Sequence, residues 1–155
     1  MEKRPFRSPP SALIIGLYRH GFARLLGRLI LLLTTTGRKS GLPRLTPLQY
    51  ERVDGMYYIG SARGTQADWF RNILADPHVR VQIKTREFAA SAEPVTDPGR
   101  IADFLELRLV RHPHMMRLIL KSEGLPSNPS RLQLEDYACR LAMVILHPAG
   151  DQDAP

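Results

Sequence analysis

Two adjacent cations lie between glycines in the segment LLLTTTGRKSGLPRLTPLQY, residues 31–50. Arginine forks onto phosphate or carboxylate groups, lysine adds a point charge, and glycines let backbone N–H groups turn toward an anion. The cations are Arg38 and Lys39, and the glycines and hydroxyl side chains around them are Thr34, Thr35, Thr36, Gly37, Ser40 and Gly41. The pattern predicts a loop that binds an anionic tail. The alternative is a solvated hairpin tip whose charges protect a sheet edge.

The net charge of the 155-residue chain is +7, from 22 basic and 15 acidic residues with neutral histidines. Such a balance favours an anionic partner: a phosphorylated cofactor, a nucleic acid or an anionic membrane surface. The loop at residues 37–41 lacks the glycine-to-lysine spacing and the following helix of a nucleotide-binding P-loop. Charge alone therefore does not choose among these partners.

The single cysteine, Cys139, excludes an internal disulfide framework and a cysteine-only metal site. It lies in the mostly apolar stretch EDYACRLAMVIL, which predicts a buried thiol. His112 and His114 have a poor spacing for metal ligands, so we expect no metal site. The apolar run LGRLILLL is far shorter than the roughly 20 residues of a membrane span, and a secretion signal is lacking. We therefore expect a cytoplasmic protein, either free or associated with a membrane surface.

Residues 1–10, MEKRPFRSPP, are rich in proline and predict a flexible arm before a single domain at residues 11–150. A helix is predicted from Ser11 to about Gly27, because apolar residues recur there at close to helical spacing. Its other positions are basic, namely Arg19, His20, Arg24 and Arg28. This basic amphipathic helix either packs on its own domain or lies on a membrane surface.

The pattern of the whole chain predicts about six strands and three or four helices. Strands are expected at residues 29–36, 45–53, 54–62, 78–84, 86–95 and 141–148, and Asp54-Gly55 is the strongest hairpin signal. Helices are expected at residues 65–77, 100–112 and 114–125, with one more helical turn within 127–140. This order indicates an α+β fold, with a mainly antiparallel sheet or small barrel and helices packed outside it.

Four separated motifs occur in a fixed order, LLTTTGRKSGLPRLTPL, DGMYYIGSARG, DWFRNILADPHVRVQI and AEPVTDP. Together they resemble the deazaflavin-dependent nitroreductase family, the split β-barrel oxidoreductases that use coenzyme F-420. The resemblance covers roughly residues 25–100, and the C-terminal third matches loosely. It implies a split β-barrel of the FMN-binding type, mainly antiparallel and with flanking helices.

The resemblance also implies a cofactor site. The loop that binds the phosphate and acidic tail of F-420 in this family corresponds to Thr36, Gly37, Arg38, Lys39, Ser40 and Gly41. The strand element that lines the deazaflavin ring corresponds to Thr46, Pro47 and Leu48. A second loop corresponds to Ser61, Ala62, Arg63 and Gly64, with arginine where the family usually has lysine. The tryptophan and asparagine of the following helix correspond to Trp69 and Asn72.

These residues predict an F-420-dependent oxidoreductase that transfers a hydride to an apolar, electron-poor acceptor such as a quinone or a nitroaromatic compound. The cofactor carries the chemistry, so no catalytic residue of the protein is assigned. The alternatives are an FMN-binding protein of the same barrel, a non-catalytic carrier of F-420 and a basic peripheral membrane protein. We expect no nucleic-acid partner, and a homodimer is the oligomer considered.

Overall fold

The computed structural model describes residues 11–150, and the predicted flexible arm at residues 1–10 lies outside this range. The helix predicted to run to Gly27 is interrupted. Helix α1, Ser11–Leu17, ends in an irregular turn at Tyr18–Phe22, and a short helix α2 follows at Ala23–Leu26. The interruption has a local cause, because Gly21 has φ +96°, a backbone angle outside the helical region.

Six strands form a closed antiparallel barrel in the order β1-β2-β3-β6-β5-β4, and β4 pairs back onto β1. Their bounds are Ile30–Thr36 for β1, Pro43–Val53 for β2, Met56–Ser61 for β3, His78–Ile83 for β4, Arg86–Val95 for β5 and Ala142–Pro148 for β6. The predicted α+β split-barrel class and the number of strands are therefore confirmed. Asp54 and Gly55 join β2 to β3 with φ +50° and +79°, as a two-residue hairpin turn requires.

Four further helices surround the barrel: α3 at Asp68–Ala75, α4 at Pro98–Arg111, α5 at Pro113–Ser122 and α6 at Arg131–Ala138. The described residues thus contain six α-helical segments, more than the predicted three or four. The first predicted helix is split in two, and the region near residue 131 forms a full helix rather than one turn. That last helix is fixed by a capping box in which Ser130 and Gln133 bond reciprocally.

Two hydrophobic clusters lie on opposite faces of the sheet. The barrel interior and α3 share a core that includes Leu31, Leu33, Phe70 and Ile73, while α4, α5 and α6 pack on the outer faces of β3 and β6. The thiol of Cys139, predicted to be buried, is exposed instead, because it lies on the solvent side where α6 ends. Within residues 11–150, no helix is both long enough and apolar enough to cross a bilayer.

The N-terminal segment is fastened to the barrel through Tyr18. Its hydroxyl donates to the carbonyl oxygen of Ile30 at 2.9 Å and accepts from the backbone N–H of Lys84 at 3.0 Å. Burial raises the pKa of Tyr18, while the hydrogen bond from Lys84 acts in the opposite direction. This anchor places the residues that follow Tyr18 against the outer face of β1.

Candidate functional site

The predicted anion-binding loop forms the tip of the β1–β2 hairpin. The backbone N–H of Gly37 donates to the carbonyl oxygen of Leu42 at 2.8 Å, and that of Gly41 donates to the carbonyl oxygen of Gly37 at 2.8 Å. A methyl group at Gly37 would lie 2.7 Å from Oγ of Ser40 and 3.3 Å from Nε of Arg44. A side chain at this position would therefore displace Ser40 and crowd Arg44. Gly41, with φ +70°, allows the sharp return into β2.

Arg38 does not point freely into solvent. Its guanidinium donates to Oδ1 of Asp68 at 3.1 Å and to Oδ1 of Asn72 at 3.0 Å, and its backbone N–H reaches the same Asn72 oxygen at 3.2 Å. The Nδ2 atom of Asn72 donates to Oγ1 of Thr35 at 3.2 Å, and both Asn72 and Thr35 are buried. Arg38 and Asn72, two predicted cofactor residues, thus join the hairpin tip to the N-terminal half of α3.

Three other cations near these elements carry no acidic partner. The side chains of Lys39 and Arg63 are exposed and form no hydrogen bond or ion pair within residues 11–150. The guanidinium of Arg44, which follows the tip on β2, contacts Oγ of Ser40 at 3.4 Å and is otherwise unbound by described residues. Positive charge that is not neutralised by the protein can attract and bind an anion.

The second predicted loop leads directly into α3. The hydroxyl of Ser61 is buried and donates to the carbonyl oxygen of Gly64 at 2.8 Å, which closes the loop around the exposed Ala62 and Arg63. Gly64 has φ +59°, and a methyl group there would lie 2.8 Å from the carbonyl oxygen of Arg140. Both predicted loops therefore meet at the N-terminal end of α3, the first through Arg38 and the second through the chain itself.

The predicted ring-lining strand residues do not share one face. Thr46 and Leu48 pair with the core residues Leu33 and Leu31, so they lie on the interior face of the barrel. Pro47, between them, lies on the outer face. Since side chains alternate along a strand, only Pro47 of the three can meet a ligand bound on the outside of β2.

Trp69 lies within the barrel core. Its side chain is 8% exposed, and its ring packs edge-on against Phe70 at a centroid distance of 6.1 Å. The structure therefore gives this predicted cofactor residue a packing role at the base of α3. The polar residues of α3 that meet the hairpin tip are Asp68, which the sequence did not indicate, and Asn72.

A cleft of about 390 Å³ lies on the outer face of β1, β2 and β4, beside Arg19 of the N-terminal turn. Its floor includes Leu32, the cross-strand partner of Pro47, and its polar residues include Thr34, Arg80 and Gln82. The volume lies within the usual range for small-molecule sites. Sequence patterns did not indicate this cleft, because the strands that line it are brought together only by barrel closure.

Comparison with known proteins agrees with this arrangement. A sequence model of the family described as F420H(2)-dependent quinone reductase matches residues 19–115, more than half of the chain. The chain belongs to this family. The predicted resemblance to F-420-dependent oxidoreductases is thereby confirmed, and F-420 is the cofactor that the family description names.

Curated relatives match only part of this chain. Two proteins from strains of Mycobacterium tuberculosis, each named as an F420H(2)-dependent quinone reductase, are 37% identical over 68 residues. The match includes 42% of this chain and 46% of each relative, so the chain spans about half the length of the curated relatives.

Solved structures confirm the fold. A structure titled F420-H2 dependent reductase (FDR-A) matches with a TM-score of 0.52 at 23% identity, covering 77% of this chain and 95% of that one. The heme storage protein HutZ from Vibrio cholerae matches with a TM-score of 0.54 at 15% identity, covering 92% and 93%. Because these two proteins are described with different functions, the shared barrel identifies the fold, and the activity has to be argued from the residues of the site.

Proposed function

We propose that this family member is an oxidoreductase that uses reduced F-420 to reduce an apolar, electron-poor acceptor, a quinone or a nitroaromatic compound. The observation that carries the proposal is the set of cations without acidic partners: Lys39 and Arg63 on the two loops that meet α3, and Arg44 at the start of β2. Membership of the F420H(2)-dependent quinone reductase family supports the same cofactor.

The chemistry of these side chains fits F-420, which carries a phosphodiester and a tail of glutamates. Lys39 and Arg44 would bind the anionic groups at the hairpin tip, together with the hydroxyls of Thr36 and Ser40. Arg38 and Asn72 would hold the tip in place rather than use all their donors on the ligand. Asparagine and arginine fixed by a helix are suited to preorganise a loop before a ligand binds.

The ring would lie on the outer face of β2, where Pro47 pairs across the strands with Leu32 of the cleft floor. When bound, F-420 supplies the hydride. The protein binds and orients the ring and keeps water away from it, which is the protein's general contribution in cofactor enzymes. No nucleophile or metal ligand of the chain is required for this reaction, and residues 11–150 contain no cluster suited to a metal ion.

Two alternatives keep the same fold. An FMN-binding protein would use the cations for the FMN phosphate, and a carrier would hold F-420 without turnover. Incubation of the protein with reduced F-420 and menadione separates an enzyme from a carrier, with recovery of oxidised-cofactor absorbance as the readout. We expect catalytic recovery over many turnovers. Binding of reduced F-420 with no turnover for menadione and for nitroaromatic acceptors would identify a carrier and contradict the proposal.

A peripheral membrane contact is a second candidate function, and the exposed N-terminal surface favours it. Phe22 and Leu25 are 49% and 64% exposed, so these two apolar side chains are not packed into the domain. The basic residues of the same segment, Arg19, Arg24 and Arg28, are also exposed. Apolar and basic side chains side by side suit an anionic bilayer surface.

Co-sedimentation with phosphatidylserine vesicles tests this contact. The double variant Phe22→Ser/Leu25→Ser should lose vesicle binding, whereas Leu118→Ser, which changes an equally exposed residue on α5, should keep it. Equal binding by both variants would exclude the N-terminal surface as the membrane contact.

A homodimer also stays a prediction for this chain; one solved structure of the fold, at 21% identity, is described as a domain-swapped dimer. Sedimentation velocity measures this directly.

A further inference from the structure

The side chain of Gln49 is held in one orientation by α4. The Nη2 atom of Arg108 donates to Oε1 of Gln49 at 2.6 Å, across 59 residues of sequence. Because a guanidinium has only donors, the Gln49 atom that faces it must be the oxygen. The amide nitrogen therefore points away from Arg108. It has two N–H donors and no hydrogen-bond partner within residues 11–150.

Arg108 is itself immobilised. Its side chain is only 15% exposed, its Nε lies 3.6 Å from Oε1 of Glu51, and its guanidinium lies over the ring of Phe104 at 5.9 Å. Burial lowers the pKa of Arg108, and the neighbouring Glu51 carboxylate counteracts this effect. The arginine thus stays beside Gln49 as a fixed cationic donor.

The carboxylate of Glu51 is fixed in turn by the end of α4. Glu51 is 5% exposed, and it accepts from Nη1 of Arg111 at 3.2 Å and lies 3.0 Å from Nε2 of His112. Three basic side chains therefore surround one buried carboxylate. Arg108 is paired with Glu51, but its surroundings keep a net positive charge. Such a network holds side chains in place better than a surface pair does.

Gln49 lies where a ligand on the outside of β2 would meet it. It is exposed, and it shares the outer face with Pro47, because the two residues are two positions apart on the strand. That spacing places them about 7 Å apart along the strand. A ring over Pro47 would therefore have the amide N–H groups of Gln49 beside it.

We propose that Gln49 donates a hydrogen bond to the carbonyl or nitro oxygen of the electron acceptor, and that Arg108, held by Glu51, is the positioning residue for this amide. An acceptor that gains a hydride develops negative charge on such an oxygen, and a preorganised donor with a cation behind it stabilises that charge. The site then favours acceptors with an exposed carbonyl or nitro oxygen. This inference rests on the proposed function, because the acceptor must lie against a ring bound over Pro47.

Gln49→Glu and Gln49→Ala distinguish this role from simple anchoring of α4. Glutamate keeps the size and pairs well with Arg108, but it has no N–H and adds negative charge. Its kcat/KM for menadione should fall about tenfold or more, the effect of losing one hydrogen bond to a charged group. The affinity for F-420 should be unchanged. If Gln49 only anchors α4, Gln49→Glu should keep kcat/KM and Gln49→Ala should lower the melting temperature, and that result would overturn the proposal.

A measurement without turnover gives an independent readout. With oxidised F-420 bound, menadione is titrated into ¹⁵N-labelled protein, and the side-chain amide signals of Gln49 are assigned by their absence in Gln49→Glu. We expect these signals to shift as menadione binds. Shifts elsewhere in the protein with none at Gln49 would overturn the proposal. A wild-type protein that does not bind F-420 would instead contradict the proposed function, so the two failures are distinguishable.

The positioning role of Arg108 is tested by a double-mutant cycle. Arg108→Met should lower kcat/KM for menadione in the wild-type background and have little further effect in Gln49→Ala, because its influence passes through the amide. Equal losses in the two backgrounds would contradict this role. Arg108→Lys, which keeps the charge, serves as the second variant if Arg108→Met does not fold, and its loss should likewise disappear in Gln49→Ala.

Discussion

The Oδ1 atom of Asn72 accepts two hydrogen bonds from Arg38, one from its backbone N–H at 3.2 Å and one from its guanidinium at 3.0 Å. A single buried amide thus fixes both the main chain and the side chain of the hairpin tip. The sequence suggested that Arg38 and Lys39 perform the same task, but the structure separates them. Arg38 is tied to α3, whereas Lys39 is exposed and unpaired by described residues.

Arg38→Ala and Lys39→Ala should therefore have different effects. Arg38→Ala should weaken F-420 binding and also lower the free energy of unfolding, by about 1 kcal/mol, because it removes bonds that tie the tip to α3. Lys39→Ala should weaken binding about three- to tenfold, the range of an exposed charge, and leave stability unchanged. Fluorescence titration and urea unfolding measure the two quantities.

Salt gives the control for this pair. The difference in F-420 affinity between Lys39→Ala and the wild type should become smaller as the salt concentration rises, since exposed charges are screened over roughly 10 Å at 0.1 M. The rate at saturating F-420 should stay near that of the wild type, because only binding has been removed. If both variants bind F-420 like the parent while folded, the tip is only a turn.

Gly37→Ala should reduce F-420 affinity while the protein stays folded. The added methyl would lie 2.7 Å from Oγ of Ser40, so that side chain must shift, and 3.3 Å from Nε of Arg44, which must yield slightly. Gly16→Ala is the matched control, because a methyl added there on α1 meets no atom within 4 Å outside its chain neighbours and the backbone of its own helix. Equal affinity in the two variants would show that the packed tip geometry does not matter for binding.

Tyr50 should contribute to a loss of stability at alkaline pH. Burial, and then the neighbouring Tyr18 and Tyr57, raise the pKa of Tyr50 from 10.0 to about 12. The neutral phenol, which donates to the carbonyl oxygen of Gly27, is therefore favoured in the folded state. Its stabilisation should be fully present below about pH 10 and be lost as the pH rises through about 12.

Tyr50→Phe has no phenol to ionise at this position. Its free energy of unfolding, measured by urea unfolding at about half-unit intervals of pH, should therefore fall less steeply between about pH 9.5 and 11.5. The dependence of stability on pH should become weaker in Tyr50→Phe but not vanish, because burial also raises the pKa of Tyr18. Identical slopes for the wild type and Tyr50→Phe would contradict the assigned cause.

Cys139 should react with Ellman's reagent in the folded protein without denaturant. The thiol is exposed at the end of α6, although the apolar residues around it predicted burial. Full labelling of the native wild type, and none of Cys139→Ser, is the expected result. A thiol that reacts only after urea is added would contradict the exposed position.

The fold could be predicted where local chemistry decides it. Asp54-Gly55 specifies the β2–β3 turn, and the alternation of HVRVQI specifies β4. Barrel closure could not be predicted in the same way, because it depends on pairing β3 and β5 with β6, which lies far along the chain. The break at Gly21 was missed because apolar spacing alone continues through it, although the glycine permits the positive φ at which the helix is interrupted.

In the candidate site, likewise, only the features that local sequence encodes could be predicted. The hairpin tip was predictable, because its glycines and cations are consecutive. The partners of Arg38 lie 30 and 34 residues away, and Arg108 lies 59 residues from Gln49, so no local pattern indicates either contact. Period-two alternation on β2 did contain one usable signal, since it separates Pro47 from Thr46 and Leu48 and places Gln49 on the face of Pro47.

Side-by-side titration with oxidised F-420 and FMN, under one buffer and salt condition, tests the central claim most directly. The exposed cations Lys39, Arg44 and Arg63 exceed what a single FMN phosphate requires, and the longer acidic tail of F-420 can use them. We predict that F-420 binds at least about tenfold more tightly than FMN, which is about 1.4 kcal/mol. Equal affinities, or tighter binding of FMN, would contradict the assignment of F-420 as the cofactor of this protein.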